Sequence, residues 1–158
     1  MSSAGPEFRL RRMTLGDLPR VMELENQAFS NPWSPEMVKN ELSHDWSTIL
    51  LGELRIDGRW LICAMAIFWL VADEIHILNV ATDGVYRRQG LARRVLTAAL
   101  THAREHRCTR AILEVRRSNE PAINLYASLG FLKIGLRPNY YQDNREDAVV
   151  MAADLPQV

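Results

Sequence analysis

Residues 79–92, Asn79-Val80-Ala81-Thr82-Asp83-Gly84-Val85-Tyr86-Arg87-Arg88-Gln89-Gly90-Leu91-Ala92, join the end of an apolar strand to a basic turn and a helix start. From Ala92 onward, Ala92, Val95, Leu96, Ala99, Leu100 and Ala103 recur as a single apolar helical stripe. The first N–H groups of a helix have no partner inside it and lie at the positive end of its dipole. Gly90 carries no Cβ to hold an anion away from the backbone. These residue types, in this order, describe a phosphate cradle. The turn is not a Walker loop, because no Gly-Lys-Ser/Thr is present, and it is not Gly-x-Gly-x-x-Gly. Taken alone it also reads as an ordinary strand-to-helix connection with a solvated arginine pair.

A second group lies downstream. Glu114 closes the apolar run Ala111-Ile112-Leu113. A carboxylate buried alone costs several kcal/mol, so Glu114 is either paired, most simply to a nearby arginine, or functional. Tyr126 shares the apolar face of a helix with Ala122, Leu125 and Leu129, which by spacing alone suits a core tyrosine. His76 lies in a strand with Ile75 and Ile77 on the opposite face. It is either a satisfied, half-buried histidine or a second proton carrier. His44, His102 and His106 read as surface residues. Arg116, Arg117 and Arg137 either face acidic substrate groups or are simply solvated.

The elements that must position these groups follow from periodicity. Residues 8–13 alternate apolar and basic, as a half-buried strand does. Thr14 and Asp17 form a capping box for a helix running to about residue 29. Asn31-Pro32 breaks it. Ser34 as N-cap and Pro35 in the first turn start a short second helix ending near residue 42. Strands are expected at 48–56 and 60–71 around an Asp57-Gly58 hairpin turn, the second apolar on both faces and therefore central. Asp73 turns the chain into a strand at 74–82. A helix at 92–106, a strand at 110–115, a helix at 121–129 stopped by Gly130, and strands at 132–136 and 148–155 complete the order. Between the last two strands lies a polar loop with Tyr140 and Tyr141. The result is a mixed sheet flanked by helices, an α/β chain in the broad sense.

The 158 residues fit one domain, 1–158, with 1–7 as a flexible lead-in. Hydrophobic residues make up 47%, enough for a core, and the formal net charge is zero. A whole-surface nucleic-acid binder is thereby disfavoured, and phosphate recognition must be local. Cys63 and Cys108 form no C-x-x-C pair, so a disulfide framework and a metal centre are not expected. The longest apolar run, residues 61–72, is too short to span a bilayer, and no secretory signal precedes it. A cytoplasmic protein is expected.

Arg87-x-x-Gly90-x-Ala92 resembles the acetyl-CoA pyrophosphate motif, Gln/Arg-x-x-Gly-x-Gly/Ala, of the GNAT N-acetyltransferases, and the element order coincides with their layout over residues 8–155. The resemblance implies a mixed, mostly antiparallel sheet of about seven strands with four helices. It also implies that the fourth and fifth strands splay apart to admit the pantetheine arm. Glu114-Val115-Arg116 followed by Asn119 and by Ala122-x-x-Leu125-Tyr126-x-x-Leu129-Gly130-Phe131 is similar to the bacterial RimI type. These GNAT members acetylate the N-terminal alanine of a small-subunit ribosomal protein. Ala28-Phe29 with Pro32-Trp33-Ser34, Arg137-x-Asn139-Tyr140-Tyr141 and Arg145-Glu146-Asp147-Ala148 agree. Ala92 stands where RimI enzymes often have Gly, an allowed choice in the wider motif.

By this resemblance Glu114 falls on the proton acceptor and Tyr126 on the proton donor. Val80, Ala81, Thr82, Arg87, Arg88, Gln89, Gly90, Leu91, Ala92, Arg93 and Asn119 fall on the acetyl-CoA side. Trp33, Tyr140 and Tyr141 fall on the peptide side, the tyrosines gripping a backbone in a slot against the 31–34 turn. The chemistry suits the residues. A free α-amine has a pKa near 7.7–8.0 and needs only a modest base, whereas a lysine amine near 10.4 needs more help. Glu114 takes that proton directly or through water, Tyr126 protonates the departing thiolate, and the Val80 N–H steadies the oxyanion. No metal is required. The rival readings are a GNAT enzyme acting on lysine or a small amine, and a non-catalytic acyl-CoA-binding module.

Overall fold

The computed structural model describes residues 5–157. The start of the expected lead-in, residues 1–4, lies outside the described residues. From Glu7 onward the chain is tied down, since the Glu7 carbonyl accepts the Arg55 N–H at 2.9 Å. The described residues form seven strands and four helices. The strands make one sheet in the order β1-β2-β3-β4-β5-β7-β6, with β4 and β5 parallel. Among the described residues no helix is long and apolar enough to cross a membrane. The chain folds as two compact units, residues up to 67 with 79–96, and residues 68–78 with those from 97 on.

In the first unit β1 (Phe8–Arg12) pairs antiparallel with β2 (Ser47–Ile56). The Thr14–Asp17 capping box forms as its spacing requires, but around a single 3-10 turn, Leu15–Asp17, that leads into α1 (Leu18–Ala28). Val21 and Leu24 of α1 are wholly buried. Ser34 caps α2 (Pro35–Glu41), accepting the Met37 N–H at 3.2 Å. Asp57 and Gly58 both take positive φ, 50° and 77°, the twist a tight hairpin turn needs before β3 (Arg59–Val71). Helix α3 (Leu91–Glu105) begins one residue earlier than its stripe suggests, because Leu91 is 3% exposed while Ala92 is only half-buried. Its first turns sit close against the strands at a glycine. A Cβ on Gly52 would lie 3.0 Å from both the Phe8 ring and a Val95 methyl. Arg94 stacks over the same Phe8 ring at 3.7 Å.

In the second unit, Ala72 (φ 55°) takes the left-handed step between β3 and β4 (Glu74–Thr82), and the Asp73 carbonyl accepts the Thr109 N–H at 2.7 Å. The parallel ladder runs from Glu74 opposite Arg110 to Ile77 opposite Leu113. β5 (Arg110–Arg116) continues beside β7 (Ala148–Asp154), whose other edge pairs with β6 (Leu132–Arg137). Asn119 caps α4 (Glu120–Ser128), and Gly130 (φ 98°) ends it, bringing the Phe131 N–H onto the Tyr126 carbonyl at 3.1 Å. Phe68, Ile75, Leu113, Phe131 and Met151 fill this unit's interior.

Candidate active site

The turn expected to hold phosphate belongs to the first unit and is fastened by α1. Asp83, at the end of β4, accepts the Val85 N–H at 2.9 Å and so caps a 3-10 turn, Gly84–Tyr86. Arg20 of α1 bonds the Asp83 carboxylate and twice the Ile62 carbonyl, at 2.8 and 3.0 Å. Burial pushes the Asp83 carboxyl upward, but the Val85 N–H and the Arg20 guanidinium outweigh it and hold the group below its ordinary value. Gln27, also on α1, accepts the Gly84 N–H at 3.2 Å. Beyond this anchor Arg87, Arg88, Gln89 and Gly90 are all exposed. Arg88 and Gly90 both adopt left-handed φ, 66° and 73°. A Cβ built on Gly90 meets nothing within 4 Å, and the Gly90 carbonyl accepts the Arg94 N–H at 3.0 Å to open α3. An open, glycine-floored turn leading into the N-terminus of α3 fits a diphosphate. Val80 and Thr82 are half-buried and Ala81 is buried as the strand approaches it.

The same unit holds a carboxylate that pattern reading missed. Glu25 is fully buried, yet no cation pairs with it among the described residues. It accepts the Trp33 N–H at 2.9 Å and the Asn79 side-chain amide on both oxygens, at 2.8 and 3.0 Å. Burial pushes the Glu25 carboxyl above its ordinary pKa, against the opposing pull of the Trp33 and Asn79 donors. The available signal was position: Glu25 interrupts the Val21–Ala28 stripe at i+4 from Val21. Trp33 itself is half-buried on the turn between α1 and α2.

In the second unit two of the expected proton carriers, His76 and Glu114, meet. His76 lies opposite Ile112 in the parallel ladder, so Glu114, two residues on, projects from the same sheet face. His76 Nε2 stands 2.7 Å from Glu114 Oε2, and Arg137 Nη2 stands 3.7 Å from Oε1. The Glu114 side chain is 9% exposed and that of His76 31%, with the Trp69 ring edge-on to the imidazole at 6.0 Å. The His76 hydrogen bond, more than the desolvation that opposes it, holds Glu114 below the usual carboxylate range, and Arg137 adds to this. Glu114 is therefore paired to a histidine, and its arginine is not one of its sequence neighbours but Arg137, 23 positions on. Tyr126 is buried on α4 with its ring 5.9 Å from that of Phe131. Burial raises its phenol to about 12.

The loop after β6 is built around Arg116. This guanidinium does not face outward, as a substrate-binding or solvated arginine would. It bonds Asp143 at 2.9 and 3.0 Å, Asn144 at 3.1 Å and Glu146 at 3.4 Å, and lies 4.0 Å from the centre of the Tyr141 ring. The Tyr141 N–H bonds the Glu146 carbonyl at 3.2 Å, and Asp147 accepts the Asn139 N–H at 2.9 Å. Burial raises the Tyr141 phenol to about 12, while Tyr140 is 43% exposed. Asn119, expected beside the cofactor, is exposed and spends its Oδ1 on the Ala122 N–H at 3.3 Å. His102 is less of a surface residue than expected, half-buried with its ring 6.0 Å from Phe68. Cys63 and Cys108 are buried and free.

Residues 18–131 match the acetyltransferase (GNAT) family. Over 141 residues the chain is 39% identical to the ribosomal protein bS18-alanine N-acetyltransferase of Escherichia coli strain K12, covering 88% of this chain and 92% of that protein. It is 36% identical over 143 residues to a Bacillus subtilis strain 168 protein described as a putative ribosomal protein bS18-alanine N-acetyltransferase, covering 90% and 92%. The crystal structure of the ribosomal-protein-S18-alanine N-acetyltransferase from Escherichia coli superposes with a TM-score of 0.84 at 32% identity, covering 96% of each chain.

Proposed function

The chain belongs to the acetyltransferase (GNAT) family, and from that premise we propose that it transfers the acetyl group of acetyl-CoA to the N-terminal α-amino group of a protein, the alanine that opens ribosomal protein bS18. One observation carries the substrate: relatives named for that reaction match at 36% and 39% identity across about nine-tenths of the chain. The whole chain is proposed to serve as one catalytic domain in the cytoplasm, with no direct part for nucleic acid or membrane.

Bound acetyl-CoA supplies the activated acyl carbon; the protein supplies anchorage and proton transfer. We assign the pyrophosphate to the N–H groups of Gln89, Gly90, Leu91 and Ala92, with Arg87, Arg88, Arg93 and Asn119 toward the same ligand. The open space over Gly90 supports this. Val80, Ala81 and Thr82 are assigned to the acyl arm, the Val80 N–H steadying the oxyanion. Trp33, Tyr140 and Tyr141 are assigned to the peptide. Glu114 and His76, 2.7 Å apart, are assigned to take the amine proton together. Glu114 is held ionised, so it can orient the imidazole or receive the proton itself. Tyr126, with its phenol near 12, stays protonated across the working range, as a donor to the departing thiolate must.

The test is tandem mass spectrometry of peptides incubated with enzyme and acetyl-CoA. Peptides that begin with Ala should gain one acetyl group on the α-amine. Acetylation of internal lysines with free N-termini untouched would replace this reading with a lysine-directed one.

A further inference from the structure

Glu25 raises a question that the reaction chemistry leaves open. A helix facing a core normally fills a wholly buried position with an apolar side chain, as α1 does at Val21 and Leu24. Here a carboxylate sits at 0% exposure among the described residues, and desolvating it costs several kcal/mol. Its hydrogen bonds explain what it does there. Oε1 takes the Trp33 N–H at 2.9 Å, so it grips the backbone of the turn between α1 and α2. The Asn79 side-chain amide spans both oxygens, at 2.8 and 3.0 Å. Asn79 directly precedes Val80 on β4.

We propose that Glu25 is a positioning residue for the transfer reaction: it ties the turn that presents Trp33 to the strand residue beside Val80, holding the peptide-facing turn in register with the acyl-facing backbone. This rests on the roles assigned above to Trp33 and Val80. Hydrogen-bond geometry is the working property, not charge. A glutamine at this position keeps an acceptor for the Trp33 N–H, and Asn79 can turn its amide over to present its carbonyl to the new Nε2 donor. A leucine keeps the bulk and leaves both donors unpaired in a buried site.

The experiment compares Glu25→Gln and Glu25→Leu in the full chain. Three quantities are read: kcat and KM for an Ala-initiated peptide, calorimetric affinity for acetyl-CoA, and NMR amide exchange at Trp33. Glu25→Leu should lose about 100-fold in kcat/KM, the scale expected when a substrate-positioning group is misplaced by about 1 Å. Most of that loss should fall in the peptide KM, with acetyl-CoA affinity unchanged and Trp33 exchanging faster. Glu25→Gln should stay within about 3-fold of the parent, since it can remake both bonds. A folded Glu25→Leu with parental kinetics or an equally protected Trp33 amide overturns the proposal. An equal loss in Glu25→Gln also overturns it, by assigning the effect to charge. If Glu25→Leu does not fold, Asn79→Ala trims a half-buried residue and breaks the same tie from the other side. It should raise the peptide KM several-fold, and parental kinetics there overturn the proposal. The Trp33 exchange rate needs no substrate, so it tests the tie even if Ala-initiated peptides prove not to be acetylated.

Discussion

The turn at 83–92 and the strands that carry His76 and Glu114 use opposite parts of the chain. In the turn the atoms proposed to hold the ligand are backbone N–H groups. The side chains at 87–90 are exposed, and the conformation depends on left-handed φ at Arg88 and Gly90. At His76 and Glu114 the backbone is regular strand and the atoms proposed to move the proton are side-chain tips, held 2.7 Å apart and partly withdrawn from water. A site made of backbone is insensitive to which side chains it carries but sensitive to a Cβ at the wrong φ. A site made of side-chain tips tolerates little change at the tip, and its charge state follows from its neighbours.

Three substitutions probe that contrast. The largest effect is expected at Glu114→Gln, which preserves size and removes the ionised acceptor. It should lower kcat by about 100-fold or more while acetyl-CoA affinity, measured by calorimetry, stays at the parental value. Parental activity across pH 6 to 9 would leave Glu114 with a structural role only. Next is Gly90→Val. The added side chain has room within the protein but must adopt φ 73°, which costs an L-residue about 1–2 kcal/mol, and it projects where the diphosphate is proposed to lie. Acetyl-CoA affinity should fall about 10-fold with the peptide KM little changed, the reverse of the pattern at the side-chain site.

The smallest effect is one of pH. Tyr126 has a folded-state pKa near 12 against an ordinary 10, so its stabilising contribution is complete below pH 10 and is lost as pH rises through 12. At pH 11 that loss is about 1.4 kcal/mol. Relative to its value at pH 9, urea-unfolding stability at pH 11 should therefore hold up better in Tyr126→Phe than in the parent by about that amount. An identical fall in both proteins would show that Tyr126 is not the group that titrates.

The sequence by itself determined the elements and the turn. Apolar periods of two and of 3.6 residues are set by backbone geometry, so they mark strands and helices wherever the chain later goes. The Asp57-Gly58 turn, the Ser34 cap and the Gly130 stop are equally local, because each satisfies backbone groups within a few residues. The basic, glycine-containing approach to α3 was legible for the same reason. Tertiary structure decided the partners. Glu114 reads as half of an unknown pair until the parallel register sets it on the same face as His76, 38 positions earlier in the chain. Arg116 reads as solvated until the loop after β6 folds back on it through Asp143 and Glu146. Glu25 reads as a polar gap in a helix stripe until Trp33 and Asn79 close around it. A side chain far along the chain becomes a neighbour only through register and packing, and local periodicity does not encode either.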